Sequence, residues 1–211
     1  MIIQCDFDGT IIKNNMSVLI REEFSQDDWK KIDSDYNRGL ISVEESNKLQ
    51  FKPIKAPKEK LQEFIRQHIE LRAGFLELLS YCQNRDIELI IVSSGLDFYI
   101  ETVLEEIGIQ DLELHCGTTT FNDNGISISY YDPDGNILNQ GFKLKYLNWL
   151  KKRDRKIVYA GDGLSDLEAS LHTNYVFAIS HLLELLKDKA VPYSSFSDFH
   201  DLLNHDQLSK Q

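Results

Sequence analysis

The chain lacks any apolar run near the roughly 18 to 20 residues that a membrane span needs, so no transmembrane helix is expected. It holds only 4 prolines and no low-complexity tract in 211 residues, which excludes a proline-rich linker or a long disordered arm. Its 3 cysteines, Cys5, Cys82 and Cys116, are odd in number, widely spaced and set in apolar stretches. That excludes a disulfide framework and is expected of reduced core thiols. Basic residues are scarce, 23 Lys and Arg against 34 Asp and Glu, and a net charge of −11 argues against a general nucleic-acid binder. A small anionic ligand stays open, because one divalent cation reverses the sign of a small pocket. The first apolar run meets two aspartates by position 8, too early for a signal peptide, and the protein is expected in the cytoplasm.

Hydrophobic residues at 42% and charged residues at 27% are ordinary for a globular chain, and the length suits one principal domain with a smaller second unit. Short β-rich apolar runs at 1–7, 87–92, 112–116, 156–160 and 175–179 alternate with helical spacing at 75–82, 98–107, 144–150 and 182–186. The alternation predicts an α/β fold, a Rossmann-like, mostly parallel sheet covered by helices on both faces.

Residues 14–72 break that alternation, with helical segments and no convincing strand. Ser25 with Asp28, and Ser42 with Glu45, have the spacing of capping boxes, and Pro53 and Pro57 punctuate the end of the stretch. The expected division is a catalytic core of 1–13 and 73–211 with a helical cap of 14–72 inserted after the first strand. A second interruption, 121–139, carries the turn pairs Asn124-Gly125 and Asp134-Gly135 and predicts a small β-hairpin beside the core. Disorder is expected only in the tail, 205–211. No internal repeat is present.

The strongest chemical feature is Asp6-Phe7-Asp8-Gly9-Thr10, directly after the first strand, where open α/β sheets bind ligands. Strand alternation would send Asp6 and Asp8 to one side, forcing two like charges together unless a cation lies between them. A second acidic group, Gly161-Asp162-Gly163-Leu164-Ser165-Asp166, also follows an apolar strand and opens a helix. Hard oxygen ligands from separate loops at one sheet edge are what Mg²⁺ prefers. Either motif alone also reads as a simple turn or helix cap. A third strand end, Ser93-Ser94-Gly95, adds a hydroxyl and loop amides suited to a phosphate. Lys143, opening the helix after the hairpin, is the expected partner cation, with Lys145 as its neighbour and competitor.

These elements in this order resemble the four motifs of the haloacid dehalogenase superfamily, the match running from Asp6 to Asp166. The helical insertion is similar to the cap of its phosphoserine phosphatase-like branch. Within that branch, 91–100, 29–51 and 196–203 look most like the 2-hydroxy-3-keto-5-methylthiopentenyl-1-phosphate phosphatases of methionine salvage. Where phosphoserine phosphatases carry a cap glutamate nine residues after the nucleophile, this chain has Asn15, and near their cap arginine it has Asn47 and Lys48.

The resemblance implies a phosphatase acting on a small phosphorylated metabolite, with Asp6 as nucleophile and Asp8 as acid and base. It implies Mg²⁺ held by Asp6, the Asp8 carbonyl, Asp162 and Asp166, and phosphate held by Ser93, Ser94, Gly95 and Lys143. Asn15, Met16, Lys48 and Phe51 are the candidate cap residues for substrate selection. Alternatives are a phosphoserine phosphatase, a transferase to another acceptor, and a non-catalytic phosphate-sensing or receiver-like module. Oligomeric state is not legible.

Overall fold

The computed structural model describes residues 1–25 and 28–209. Its sheet is centred on β1 (Ile2–Cys5), which pairs with a parallel strand on each of its two edges and has all four residues buried, as a parallel strand covered on both faces does. The chain then forms α1 (Met16–Phe24), α2 (Trp29–Asn37), α3 (Val43–Phe51) and α4 (Lys58–Gln67) before α5 (Phe75–Gln83) leads into β2 (Glu88–Leu96). There follow α6 (Asp97–Glu106), β3 (Glu113–Asn122), β4 (Gly125–Tyr131), β5 (Ile137–Leu138), α7 (Phe142–Leu150), β6 (Ile157–Gly161) and α8 (Leu164–Ser170). The last elements are β7 (Tyr175–Ala178), α9 (Ser180–Leu185), β8 (Tyr193–Ser195), α10 (Phe199–Leu203) and α11 (Asp206–Ser209).

The strands make one sheet in the order β5-β4-β3-β2-β1-β6-β7-β8, with every pairing parallel except β3 with β4 and β4 with β5. This is the expected α/β class. Successive strands build outward from β1, first on one side and then on the other, so a crevice opens at the carboxyl ends of β1, β2 and β6.

The expected hairpin is present, and it extends the sheet: β3 runs on from parallel pairing with β2 into antiparallel pairing with β4, because the β-branched run Thr118-Thr119-Thr120 carries no stop signal. Two local expectations need correction. Ser25 does not start a helix. Its N–H bonds the Arg21 carbonyl as the C-cap of α1, and Asp28 is the N-cap of α2, its side chain accepting from Lys30 N. The tail is ordered through α11, where Leu208 is buried, and residues 210–211 lie outside the described residues. Ser42 does cap α3, its Oγ accepting from Glu45 N at 3.0 Å.

The four helices after β1 bury Met16, Ile20, Phe51, Ile54, Leu61 and Ile65 completely, in an apolar cluster continuous with the sheet's own. Each such side chain contributes about 1.5–3 kcal/mol. The α4 helix lies on α6, and α3 lies on β4. The chain enters and leaves this excursion at one neck, where Ile12 and Leu71 form an antiparallel bridge and Lys13 N donates to the Glu70 carbonyl at 2.8 Å.

Candidate active site

The loop after β1 is shaped by its backbone bonds. Asp6 N donates to the Ala160 carbonyl at 2.9 Å, and the N–H groups of Thr10, Ile11 and Ile12 all turn back to the Phe7 carbonyl. Gly9 has φ +71°, and a Cβ there would lie 2.2 Å from Asp162 Oδ2, so this turn and this approach both require glycine. Arg72 holds the turn from behind, its Nε on the Thr10 carbonyl at 2.7 Å and its Nη2 on the Gly9 carbonyl at 2.6 Å.

Asp6 is 4% exposed, and its Oδ1 accepts from Lys143 Nζ at 2.6 Å. The same ammonium donates to Asp166 Oδ1 at 2.5 Å and to Ser165 Oγ at 3.2 Å, so its three protons are all engaged. Burial opposes the charge on Lys143, but Asp166 and Asp6 outweigh it and raise its pKa above the ordinary lysine range. Lys145, the competitor in sequence, is exposed.

Asp166 is fully buried and saturated. Oδ1 accepts from Lys143 and from Tyr159 OH at 2.6 Å, and Oδ2 accepts from Asp162 N and Gly163 N at 3.0 and 2.9 Å. Asp6, Asp162 and Asp166 each bring a carboxylate oxygen within 4.8 Å of the others. Burial first, then the mutual repulsion of these three groups, pushes Asp162 and Asp6 above the usual carboxylate range. Three desolvated carboxylates against one ammonium leave the cluster short of positive charge, and hard oxygen donors in that state fit a divalent cation. With the oxygens of Asp166 occupied, Asp6 and Asp162 are the two open to one.

Asp8 departs from the expected juxtaposition. Its carboxylate is not in that cluster: Oδ1 accepts from Met16 N at 2.8 Å, at the start of α1, and Oδ2 accepts from Tyr99 OH. The cause is that β1 ends at Cys5, so strand alternation no longer governs position 8. Burial raises the pKa of Asp8, against the lowering effect of Tyr99 and Met16 N.

At the end of β2, Ser93 Oγ accepts from Gly95 N at 3.0 Å, so the Gly95 amide is used within the loop and is not a free donor. Gly95 serves otherwise: a Cβ there would meet Tyr99 OH at 2.2 Å, and its absence lets the phenol reach Asp8. The Ser94 carbonyl accepts from Tyr130 OH at 2.6 Å and from Asn47 Nδ2 at 2.8 Å, tying α3 and β4 to this strand end. Ser94 Oγ is buried with no partner among the described residues.

Asp6, Asp8, Ser93, Ser94, Lys143 and Asp162 border a cavity of about 300 Å³ beneath α1, α2 and α3. Of the candidate cap residues, Asn15 lines it while capping α1 through Val18 N. The other three do not. Met16 and Phe51 are wholly buried in the apolar cluster, because the helical face they occupy packs inward, and Lys48 turns outward to Asn139 Oδ1 at 3.1 Å. The cavity instead receives Arg21, Tyr36, Asn47 and Tyr99. Polar residues at helical spacing on α1 to α3 were the available signal for Arg21 and Asn47; nothing local marks Tyr99.

The fold and the site define an α/β protein whose acidic and polar groups converge at the carboxyl ends of three neighbouring strands. The haloacid dehalogenase-like hydrolase family matches residues 3–170. A 2-hydroxy-3-keto-5-methylthiopentenyl-1-phosphate phosphatase of Geobacillus kaustophilus (strain HTA426) is 30% identical over 97% of this chain and 94% of its own length. The protein of that name from Brevibacillus brevis (strain 47) is 28% identical over 96% and 93%. A substrate-bound phosphoserine phosphatase structure superposes with a TM-score of 0.70 at 20% identity, covering 96% of each chain, which shows the shared fold. The chain belongs to the haloacid dehalogenase-like hydrolases, and its curated relatives place it among the phosphatases of that family. Among the described residues, no helix is long and apolar enough to cross a membrane.

Proposed function

We propose that the chain hydrolyses a small phosphate monoester in two displacements at Asp6. The observation that carries this reading is the contrast between two carboxylates at one cavity: Asp6 is fixed by Lys143 beside Asp162, while Asp8 stands apart between Tyr99 OH and Met16 N. An Asp6 oxygen attacks phosphorus in line, the ester P–O bond breaks, and the departing alkoxide takes a proton from Asp8. The aspartyl-phosphate is then opened by water, whose proton passes to Asp8 as phosphate leaves. The raised pKa of Asp8 suits it to hold the proton for the first step. Ser93 and Ser94 steady the transferring oxygens, while Lys143 holds the Asp6 carboxylate in place for the attack.

Mg²⁺ fits the donor set, with Asp6, Asp162 and the Asp8 carbonyl as its holders and Asp166 fixing the loop behind. When bound, it supplies the positive charge that carboxylates and phosphate otherwise lack. Residues 14–72 act as a cap that walls the cavity and excludes water. The compound in the relatives' names, 2-hydroxy-3-keto-5-methylthiopentenyl-1-phosphate, is the first substrate to consider, and the cytoplasm is the compartment this reading proposes. The test is phosphate release from a panel of monoesters that includes this compound and phosphoserine, with and without chelator, for the natural chain and Asp6→Asn. The reading expects Mg²⁺-dependent release that Asp6→Asn abolishes; full activity in Asp6→Asn would overturn it.

A further inference from the structure

One cation at the cavity has no role in the scheme above. Arg21, on α1, is 4% exposed, lines the cavity that Asp8 borders, and forms no ion pair among the described residues. Its guanidinium is fixed on two sides, Nη1 donating to Gln50 Oε1 and Cζ lying 4.9 Å from the centre of the Trp29 ring. Its Nε is buried and has no hydrogen-bond partner. A guanidinium removed from water, oriented and left with an unused donor is costly to keep for packing alone. A ligand oxygen that accepts from it removes the cost. Arg21 is five residues beyond Met16, whose N–H rests on Asp8, which is about 7.5 Å along the helix axis. Both Arg21 and Asp8 border the same cavity.

We infer that Arg21 binds an acceptor oxygen, carbonyl or carboxylate, on the alcohol portion of the substrate, and so selects esters that carry one. The inference rests on the phosphatase reading and adds to it the chemical class of the leaving group. Trp29 and Gln50 orient the guanidinium, and Asp33 and Asp8, which border the same cavity, both favour its charge.

The test compares the natural chain with Arg21→Lys on three esters: 2-phosphoglycolate with a carboxylate, dihydroxyacetone phosphate with a ketone, and ethyl phosphate with neither. Arg21→Lys keeps the apolar stem and the charge but loses the planar fork. The expected result is a fall in kcat/KM of about 10- to 100-fold on the preferred acceptor-bearing ester, with ethyl phosphate within about twofold. Which ester falls tells carboxylate from ketone. An equal loss on all three esters, or on none, overturns the inference. Because Arg21→Lys could lose its fold, a second measurement uses Asp6→Asn protein with the natural Arg21. Tryptophan fluorescence should change on adding the preferred ester and not on adding ethyl phosphate, and equal responses overturn the inference. If the natural chain releases phosphate from none of the three nor from an aryl phosphate, the phosphatase reading itself fails and takes this one with it.

Discussion

The side-chain carboxylate of Glu44, on α3, accepts the main-chain N–H of Phe142 at 2.8 Å, one residue before Lys143. Glu44 is 1% exposed and sits at the N-terminal end of α7, where a negative charge is favoured by the helix dipole. The helical excursion therefore holds the helix that aims the ammonium at Asp6. Glu44→Ala is expected to cost about 1–2 kcal/mol, as loss of a buried cap does. Because the next residue must aim within a fraction of an ångström, kcat should drop about tenfold or more with a smaller change in KM. Urea unfolding and steady-state kinetics check both; an unchanged midpoint would remove Glu44 from this role.

Lys143→Met tests the ammonium itself. Removing it leaves Asp6 and Asp166 buried without their shared partner, and breaking a buried pair in this way costs about 3–5 kcal/mol. Phosphate release should vanish, and thermal unfolding should shift well below that of the natural chain. Lys143→Arg should not rescue turnover, since three acceptors converge on one nitrogen and a planar fork spreads its donors over several.

Gly9→Ala is expected to spare the fold and damage the chemistry. The new methyl would enter the Asp162 carboxylate, at 2.2 Å from Oδ2, on a backbone whose φ of +71° already disfavours a side chain by about 1–2 kcal/mol. Displacing Asp162 should lower turnover by about 100-fold. Far-ultraviolet circular dichroism should stay native-like, and a phosphatase assay that finds full activity would show that Asp162 need not hold its place.

The far end of the sheet offers a pH test away from the chemistry. Glu113 pairs with Arg153 at 2.9 Å and with His115 at 2.9 Å, and Arg153 also pairs with Glu88. Burial pushes the Glu113 carboxyl up, but the Arg153 and His115 bonds outweigh it and hold the pKa below the ordinary value. A carboxyl lowered on folding adds stability above its unfolded pKa and loses it as pH falls through the folded one. Glu113→Gln should therefore be less stable than the natural chain at neutral pH, by about 0.2–1 kcal/mol for a pair this exposed. The gap should close in acid, and denaturant midpoints measured across that range decide it.

Much of this site is legible in the sequence because its chemistry follows strand ends. Asp6, Asp162 and Ser93 each come directly after or at the end of an apolar strand, and a parallel sheet brings such ends to one edge whatever the loops do. Lys143 is readable from order along the chain. The cavity wall is not. Met16, Lys48 and Phe51 lie on helices whose inward and outward faces are fixed by how α1 to α4 pack on α6 and β4, and no local pattern reveals that. Tyr99 reaches Asp8 through tertiary placement alone. The hairpin was visible from its turn pairs, but its continuity with β3 depended on three threonines that read equally well as loop.

Ile12 and Leu71 lie side by side, so the whole helical excursion departs from the sheet and rejoins it through a single doorway. Such an excursion can be lengthened, trimmed or exchanged over evolutionary time without rerouting any strand. Any such exchange must still return a carboxylate to Phe142 N and a main-chain N–H to Asp8, because Glu44 and Met16 reach back from the excursion to the groups at the strand ends.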